Sequence, residues 1–242
     1  MRPEERIAAL GFSEADTATL AEHFLDAESR GKLGHGLSRI DWLETLDGLQ
    51  PDAHPTRLAA DPGYERWDGN GALGYLTLAA IVHAQLAKPP AHARVVVASN
   101  CFPTGVLGWY ARQLAAGGLA VALTATSPAR LPHPEGGEPL TGTNPLAIAI
   151  PSSDGKPLVA DVSMGAVTYG DVLRGTAAPE DLVPFGGEQA HKAFALALGL
   201  DLLVGALAGA GYGAVLVVAQ PEADPVPALR ALAAGLRLPG DS

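Results

Sequence analysis

YLTLAAIVHAQLAKPPAHARVVVASNCFPTGVLGWYARQLAAGGLAVALT, residues 75–124, reads as helix, strand, helix, strand. Tyr75 to Lys88 predicts a helix, and Arg94 to Ala98 is a β-branched run that predicts a strand. Val106 to Ala116 predicts a second helix and Leu119 to Thr124 a second strand. Helices alternating with short buried strands mean an α/β domain.

Working outward, the pattern continues downstream. Leu146 to Ile150, Leu158 to Val162 and Ala214 to Ala219 read as strands, and Ala190 to Leu207 as a helix. The tail from Glu222 holds one short helix and ends in Leu238-Pro239-Gly240-Asp241-Ser242. Upstream, residues 3–29 look helical, with Ser13 as an N-cap and an apolar stripe of Leu20, Ala21, Phe24 and Leu25. Arg30 to Gly36 is a glycine-rich connection, and Ile40, Trp42, Leu43 and Leu46 mark a further helix. Residues 50–70 read as an extended linker. The expected division is a helical portion over 1–60, with 225–242 as a candidate completion of it, and an α/β portion over 61–224 that binds cofactor and substrate.

The chain has 242 residues, enough for one large domain or a domain with an appendage. Its formal net charge is -10 and no basic stripe is visible, which argues against nucleic acid as a partner. A single cysteine, Cys101, rules out an intrachain disulfide and suits a reducing compartment. The N-terminal residues carry no apolar signal region, so a cytoplasmic location is expected. From Ala193 to Ala219 the only charge is Asp201, and that length would span a bilayer. Gly209, Gly211 and Gly213 divide the run, so it reads as a buried helix and a buried strand, with no membrane partner. Its Ala/Gly-rich apolar surface is the basis for expecting a homodimer.

Few residues carry chemistry on their own. Gly69-Asn70-Gly71-Ala72-Leu73-Gly74 spells G-x-G-x-x-G. A pyrophosphate cradle needs a preceding buried strand and a later acidic partner. Residues 64–68 read as a polar loop and no acid follows the next strand, so a plain glycine-rich turn is expected. His35 lies between Gly34 and Gly36, with Arg30, Lys32 and Arg39 nearby. Histidine suits proton transfer near neutral pH, and a guanidinium grips a carboxylate with two hydrogen bonds. Solvated helix-end cations and a structural histidine are the plainer alternatives. Asn144, within Thr141-Gly142-Thr143-Asn144-Pro145, belongs to a long turn whose backbone N–H groups suit an anion. Asp161 and Ser163 end a strand, a usual ligand position in open sheets. His191-Lys192 opens a helix, and Cys101 reads as a structural thiol. No metal-ligand spacing is present, so no metal site is expected.

Taken in order, these segments resemble the type-2 malate/L-lactate dehydrogenase family. The resemblance runs through Arg30 to Arg39, Trp67 to Gly74, Ser99 to Phe102, Gly142 to Leu146, Asp161 to Met164 and Leu238 to Gly240. It implies a non-Rossmann α/β fold with an N-terminal helical portion, a homodimer, and reduction of a small 2-oxo acid or cyclic imino acid with NAD or NADP. It implies His35 as proton donor, with Arg39 holding a carboxylate and Asp161 orienting a group or capping the cofactor pocket. It implies cofactor contacts at Asn144, Pro157, Val159, Asp161, Ser163, His191, Lys192, Gly240 and Asp241. Two positions depart from the family: Gly34 stands where it favours serine, and Cys101 where it favours histidine. The segment after Gly170 is also shortened. A non-catalytic cofactor- or metabolite-binding member is the alternative those departures leave open.

Overall fold

The computed structural model describes residues 1–241. Helices α1 (Pro3–Ala9) and α2 (Glu14–Ser29) come first, then α3 (Ser38–Leu43). The helical stretch over 3–29 divides in two at Gly11, which adopts φ 97°, and Ser13 accepts the Asp16 N–H as N-cap of α2, as read from the sequence. A hairpin of β1 (Thr56–Asp61) and β2 (Tyr64–Asp68) follows, then α4 (Gly74–Ala87), β3 (Ala93–Ser99), α5 (Leu107–Ala116) and β4 (Ala120–Ala125). A small hairpin of β5 (Leu131–His133) and β6 (Gly136–Thr141) precedes β7 (Leu146–Ile150) and β8 (Leu158–Val162). The chain closes with α6 (Tyr169–Leu173), α7 (Ala190–Ala208), β9 (Gly213–Ala219) and α8 (Val226–Leu232).

Residues 50–70 are therefore not a linker. They carry the edge hairpin of the main sheet, whose order is β1-β2-β3-β9-β4-β7-β8. The reason they escape a sequence reading is chemical. β1 is exposed on nearly every residue, and β2 turns Glu65 inward beside Trp67. Buried Glu65 is matched by Arg94 at 3.2 Å and accepts hydrogen bonds from Gln85 and the Trp67 indole. A charged residue on the inner face erases the apolar alternation that marks a strand.

The sheet is mixed. β2 and β3 are parallel, and every other neighbouring pair is antiparallel. Since β3 and β4 both oppose β9, and β4 and β8 both oppose β7, strands β2, β3, β4 and β8 end at the same rim. α4 and α5 cover one face and form the main core with Val96, Leu114, Val121, Leu123 and Leu216. The N-terminal helices pack Ile7, Leu20, Phe24, Ile40 and Leu43 against the start of α4. α7 lies on the other face, where Val204 and Ala208 meet Val97 and Val215. By length and composition α7, with the turn before it, is apolar enough to cross a membrane; the expected buried helix is buried over only 28% of that window, at positions such as Ala193, Phe194, Ala197 and Val204. The tail reaches the β8 side of the sheet. Arg230 pairs with Asp154 and donates to the Lys156 carbonyl, and the Pro239 carbonyl accepts from Val159 N–H on β8.

Candidate functional site

A cavity of about 490 Å³ opens at the rim where β3, β4 and β8 end. Its floor and walls come from residues 31–35, α3, the segment 102–107, the loop after β4 and the start of α6. Of the residues singled out from sequence, His35, Arg39, Asp161 and Ser163 line it.

His35 closes a short 3-10 turn, Leu33–His35, that follows α2. The turn needs close packing. A side chain on Gly36 would collide with Glu28, whose carboxylate accepts the Leu37 N–H at 3.0 Å. A Cβ on Gly34 would stand 2.7 Å from the Thr168 hydroxyl and 2.8 Å from Asp171 Oδ1. The start of α6 thus occupies the space a serine would need, and Thr168 brings a hydroxyl there from another element.

His35 is half-buried, and its Nδ1 is shut from solvent with no hydrogen-bond partner. Burial first, then the charges of Arg39 and Lys32, push its pKa down to about 3, against the opposing pull of Asp171. The imidazole is therefore neutral at pH 7. Arg39, one turn of α3 away, is buried, and its guanidinium lies over the Trp42 ring at 5.4 Å with Nε unpartnered. Of the other cavity charges, Lys32, Asp161 and Asp171 are paired. Lys32 Nζ donates to Asp161 Oδ2 at 2.6 Å, and Asp171 stands 3.9 Å from Arg174. Asp161 also packs on Gly108 in the first turn of α5, a favourable place for a carboxylate.

The remaining predicted residues lie outside this cavity. Asn144 is fully buried and structural in its contacts. Its amide donates to the Thr141 hydroxyl and the Ala197 carbonyl, and its oxygen accepts from Ser127 N–H. It thereby fixes Ser127 and Thr143, which do line the cavity. Pro157 and Val159 follow the edge strand β8, and Gly240 packs against Val159. Asp241 accepts from Leu238 N–H within its own turn. His191 and Lys192 are exposed at the start of α7.

Cys101 is fully buried in the main core, and burial pushes its pKa up to about 12. Its side chain is not part of the cavity wall, whereas the next residue, Phe102, is. Sequence reading missed Arg130 and Trp42 as cavity residues, and it missed His23. Arg130 had one signal, its place in the loop just past β4. His23 lies fully buried beneath the site, where Nε2 accepts the Val106 N–H at 3.0 Å.

The glycine-rich turn at 69–74 also differs from expectation. β2 does precede it, and β2-α4-β3 forms a parallel unit around it. The turn is nonetheless filled by protein. A Cβ on Gly69 would overlap the Asn100 carbonyl, and one on Gly74 would stand 2.7 Å from both the Phe102 nitrogen and the Pro103 oxygen. The amino end of α4 is thus covered by residues 100–103, and none of the three glycines lines the cavity.

A sequence profile of the malate/L-lactate dehydrogenase family matches residues 3–181. The chain is 28% identical to a malate dehydrogenase of Pyrococcus horikoshii over 237 residues, covering 84% of this chain and 65% of that protein. It is 31% identical to a Delta(1)-pyrroline-2-carboxylate/Delta(1)-piperideine-2-carboxylate reductase of Pseudomonas putida over 232 residues, covering 84% of this chain and 67% of that protein. The match thus spans about two thirds of the length of these relatives. Among solved structures, malate dehydrogenase from Entamoeba histolytica superposes with a TM-score of 0.84 at 20% identity, over 99% of this chain and 84% of that one. The delta1-piperideine-2-carboxylate reductase from Pseudomonas syringae pvar. tomato gives 0.82 at 23% identity, over 99% and 88%.

Proposed function

The chain belongs to the malate/L-lactate dehydrogenase family, and from that premise we propose that it is an NAD(P)H-dependent reductase of a small 2-oxo acid or cyclic imino acid. The observation that carries this reading is the pairing, in one cavity, of an unpartnered buried guanidinium at Arg39 with a neutral imidazole at His35.

Arg39 grips the substrate carboxylate with two parallel hydrogen bonds, which fixes the adjacent carbonyl or imine toward His35. A bound nicotinamide supplies the hydride that reaches C2. His35 supplies the proton to the oxygen or nitrogen. Its low proton affinity in the free protein is part of the scheme. Burial is the larger cause of that low affinity, and the substrate carboxylate would offset the smaller part that comes from the Arg39 charge. Asp161 neutralises Lys32 and keeps that cation from competing for the carboxylate.

The residues present fit a nicotinamide cofactor. Ser163 and Thr143 give the cavity polar groups beside the apolar walls of Phe102, Pro145 and Leu107. Beyond the cavity, β8 is the last strand of its sheet, and the tail meets its outer edge where the Pro239 carbonyl accepts the Val159 N–H. Pro157, Val159, Gly240 and Asp241 lie along that edge, and His191 and Lys192 offer polar groups at the start of α7. No part of the site requires the turn at 69–74.

We propose further that the helical portion, expected over 1–60, ends before β1 at Thr56 and serves the cofactor- and substrate-binding unit that follows, and that two chains associate. Leu196, Leu202, Leu203 and Leu207 of α7 are exposed, an apolar stripe suited to a symmetric partner. A cytoplasmic location accords with the reduced cysteine. The test of the activity is a panel of pyruvate, oxaloacetate, longer diketo acids and cyclic imino acids with NADH and NADPH, read as loss of the reduced cofactor. Cofactor binding with no turnover on any member would favour a non-catalytic role.

A further inference from the structure

Two guanidinium groups enter the same cavity without a carboxylate. Arg39 comes from α3, and Arg130 from the loop between β4 and β5. The Arg130 guanidinium carbon lies 3.2 Å from the centroid of the Tyr169 ring, at the start of α6. Stacking occupies a face of the planar group and leaves its edge of N–H donors free. Among the described residues, no acceptor takes those donors.

The charge balance points the same way. Lys32 is neutralised by Asp161 at 2.6 Å, and Asp171 faces Arg174 at 3.9 Å. Arg39 and Arg130 are left as two uncompensated positive charges around about 490 Å³, on a chain of net charge -10. One carboxylate on Arg39 satisfies only half of that field.

We infer that Arg130 binds the second acid group of a dianionic substrate, a small 2-oxo acid carrying a further carboxylate or sulfonate, and that Tyr169 holds the guanidinium in place. This rests on the reductase reading for the reaction, but not for the binding. A bidentate anion takes the free N–H edge while the ring keeps the face. Arg39 anchors the acid group beside the reacting carbon, and Arg130 selects what the rest of the molecule carries.

Two measurements on the whole protein test this. The first is calorimetric binding of malonate and acetate without cofactor. Wild type should prefer malonate, and Arg130→Met should lose that preference by roughly ten- to a hundredfold while acetate binding stays. The second is kinetic. Arg130→Met should lower kcat/KM for oxaloacetate by roughly ten- to a hundredfold, leave pyruvate nearly unchanged, and leave the cofactor Kd alone. Arg130→Lys should restore part of the loss, since a point charge replaces part of the fork. Malonate binding no tighter than acetate in wild type overturns the inference. So does a variant that loses cofactor affinity in place of dianion preference, because the anion held would then be a cofactor phosphate. An Arg130-dependent malonate preference in a protein that turns nothing over sustains the inference and defeats the reductase reading.

Discussion

Residues 30–36 and residues 69–74 each place three glycines in a short stretch between secondary elements. In both, the glycines serve close approach. Gly34 and Gly36 admit the start of α6 and Glu28, while Gly69 and Gly74 admit the backbone of 100–103. The loops part company in what the packing leaves open. In the first, the tight contacts turn His35 onto a cavity shared with Arg39. In the second, the backbone of residues 100–103 fills the space before α4 and nothing is left to hold a ligand. A glycine pattern reports that something approaches closely, and only the neighbour decides whether that something is a ligand or the protein itself.

The contrast predicts that changes in the first loop region cost chemistry and changes in the second cost stability. The largest effect should come at His35. His35→Gln should lower turnover by roughly 10²–10⁴-fold with cofactor affinity nearly intact, by steady-state kinetics beside a fluorescence titration. Unchanged turnover would end the assignment of His35 as proton donor. Gly69→Ala is the counterpart. It should destabilise the fold by about 3 kcal/mol in urea titration, because the added methyl meets the Asn100 carbonyl, while the folded fraction binds cofactor normally. Weakened cofactor affinity at full stability would instead place a ligand on that turn.

Arg39→Lys sharpens the comparison within the site. It should raise KM for the acid by roughly tenfold, since an ammonium cannot reproduce the bidentate grip. Equal KM in the variant would move the carboxylate elsewhere.

The smallest effect is one of pH. His23 and His35 each have pKa values lowered from 6.5 to about 3, mainly by burial. As pH falls below 6.5 the unfolded chain binds their protons first. Stability is therefore greatest above that value and declines toward pH 3, and calorimetric Tm should fall across this window. His35→Gln should flatten the slope by roughly one proton's worth. An identical slope in the variant would mean that His35 titrates alike in both states.

Much of the α/β portion was legible in the sequence. β7 and β8 fall where Leu146–Ile150 and Leu158–Val162 were read, because short runs rich in Ala, Ile, Leu and Val between turn residues read as strands. β1 and β2 were not legible, since their inner positions include a charged residue whose partners, Arg94 and Gln85, come from other elements. His35, Arg39, Asp161 and Ser163, singled out from the sequence, line one cavity. The Lys32–Asp161 pair joins residues 129 positions apart, and no local pattern announces it.

The sequence by itself determined most of the helices and strands of the α/β portion, that one histidine sits in a glycine-flanked turn, and which family the chain resembles. These follow from local spacing and residue type, which are properties of short stretches. The tertiary structure decided which polar groups share a cavity, which charges cancel, and that Arg130 and Arg39 remain unpaired beside His35. It also decided that the Thr168 hydroxyl occupies the space beside Gly34 and that Cys101 faces the core. Burial and Coulomb interaction depend on distance through space, and only the folded chain brings residues 30–42, 102–107, 126–130 and 161–171 within reach of one another.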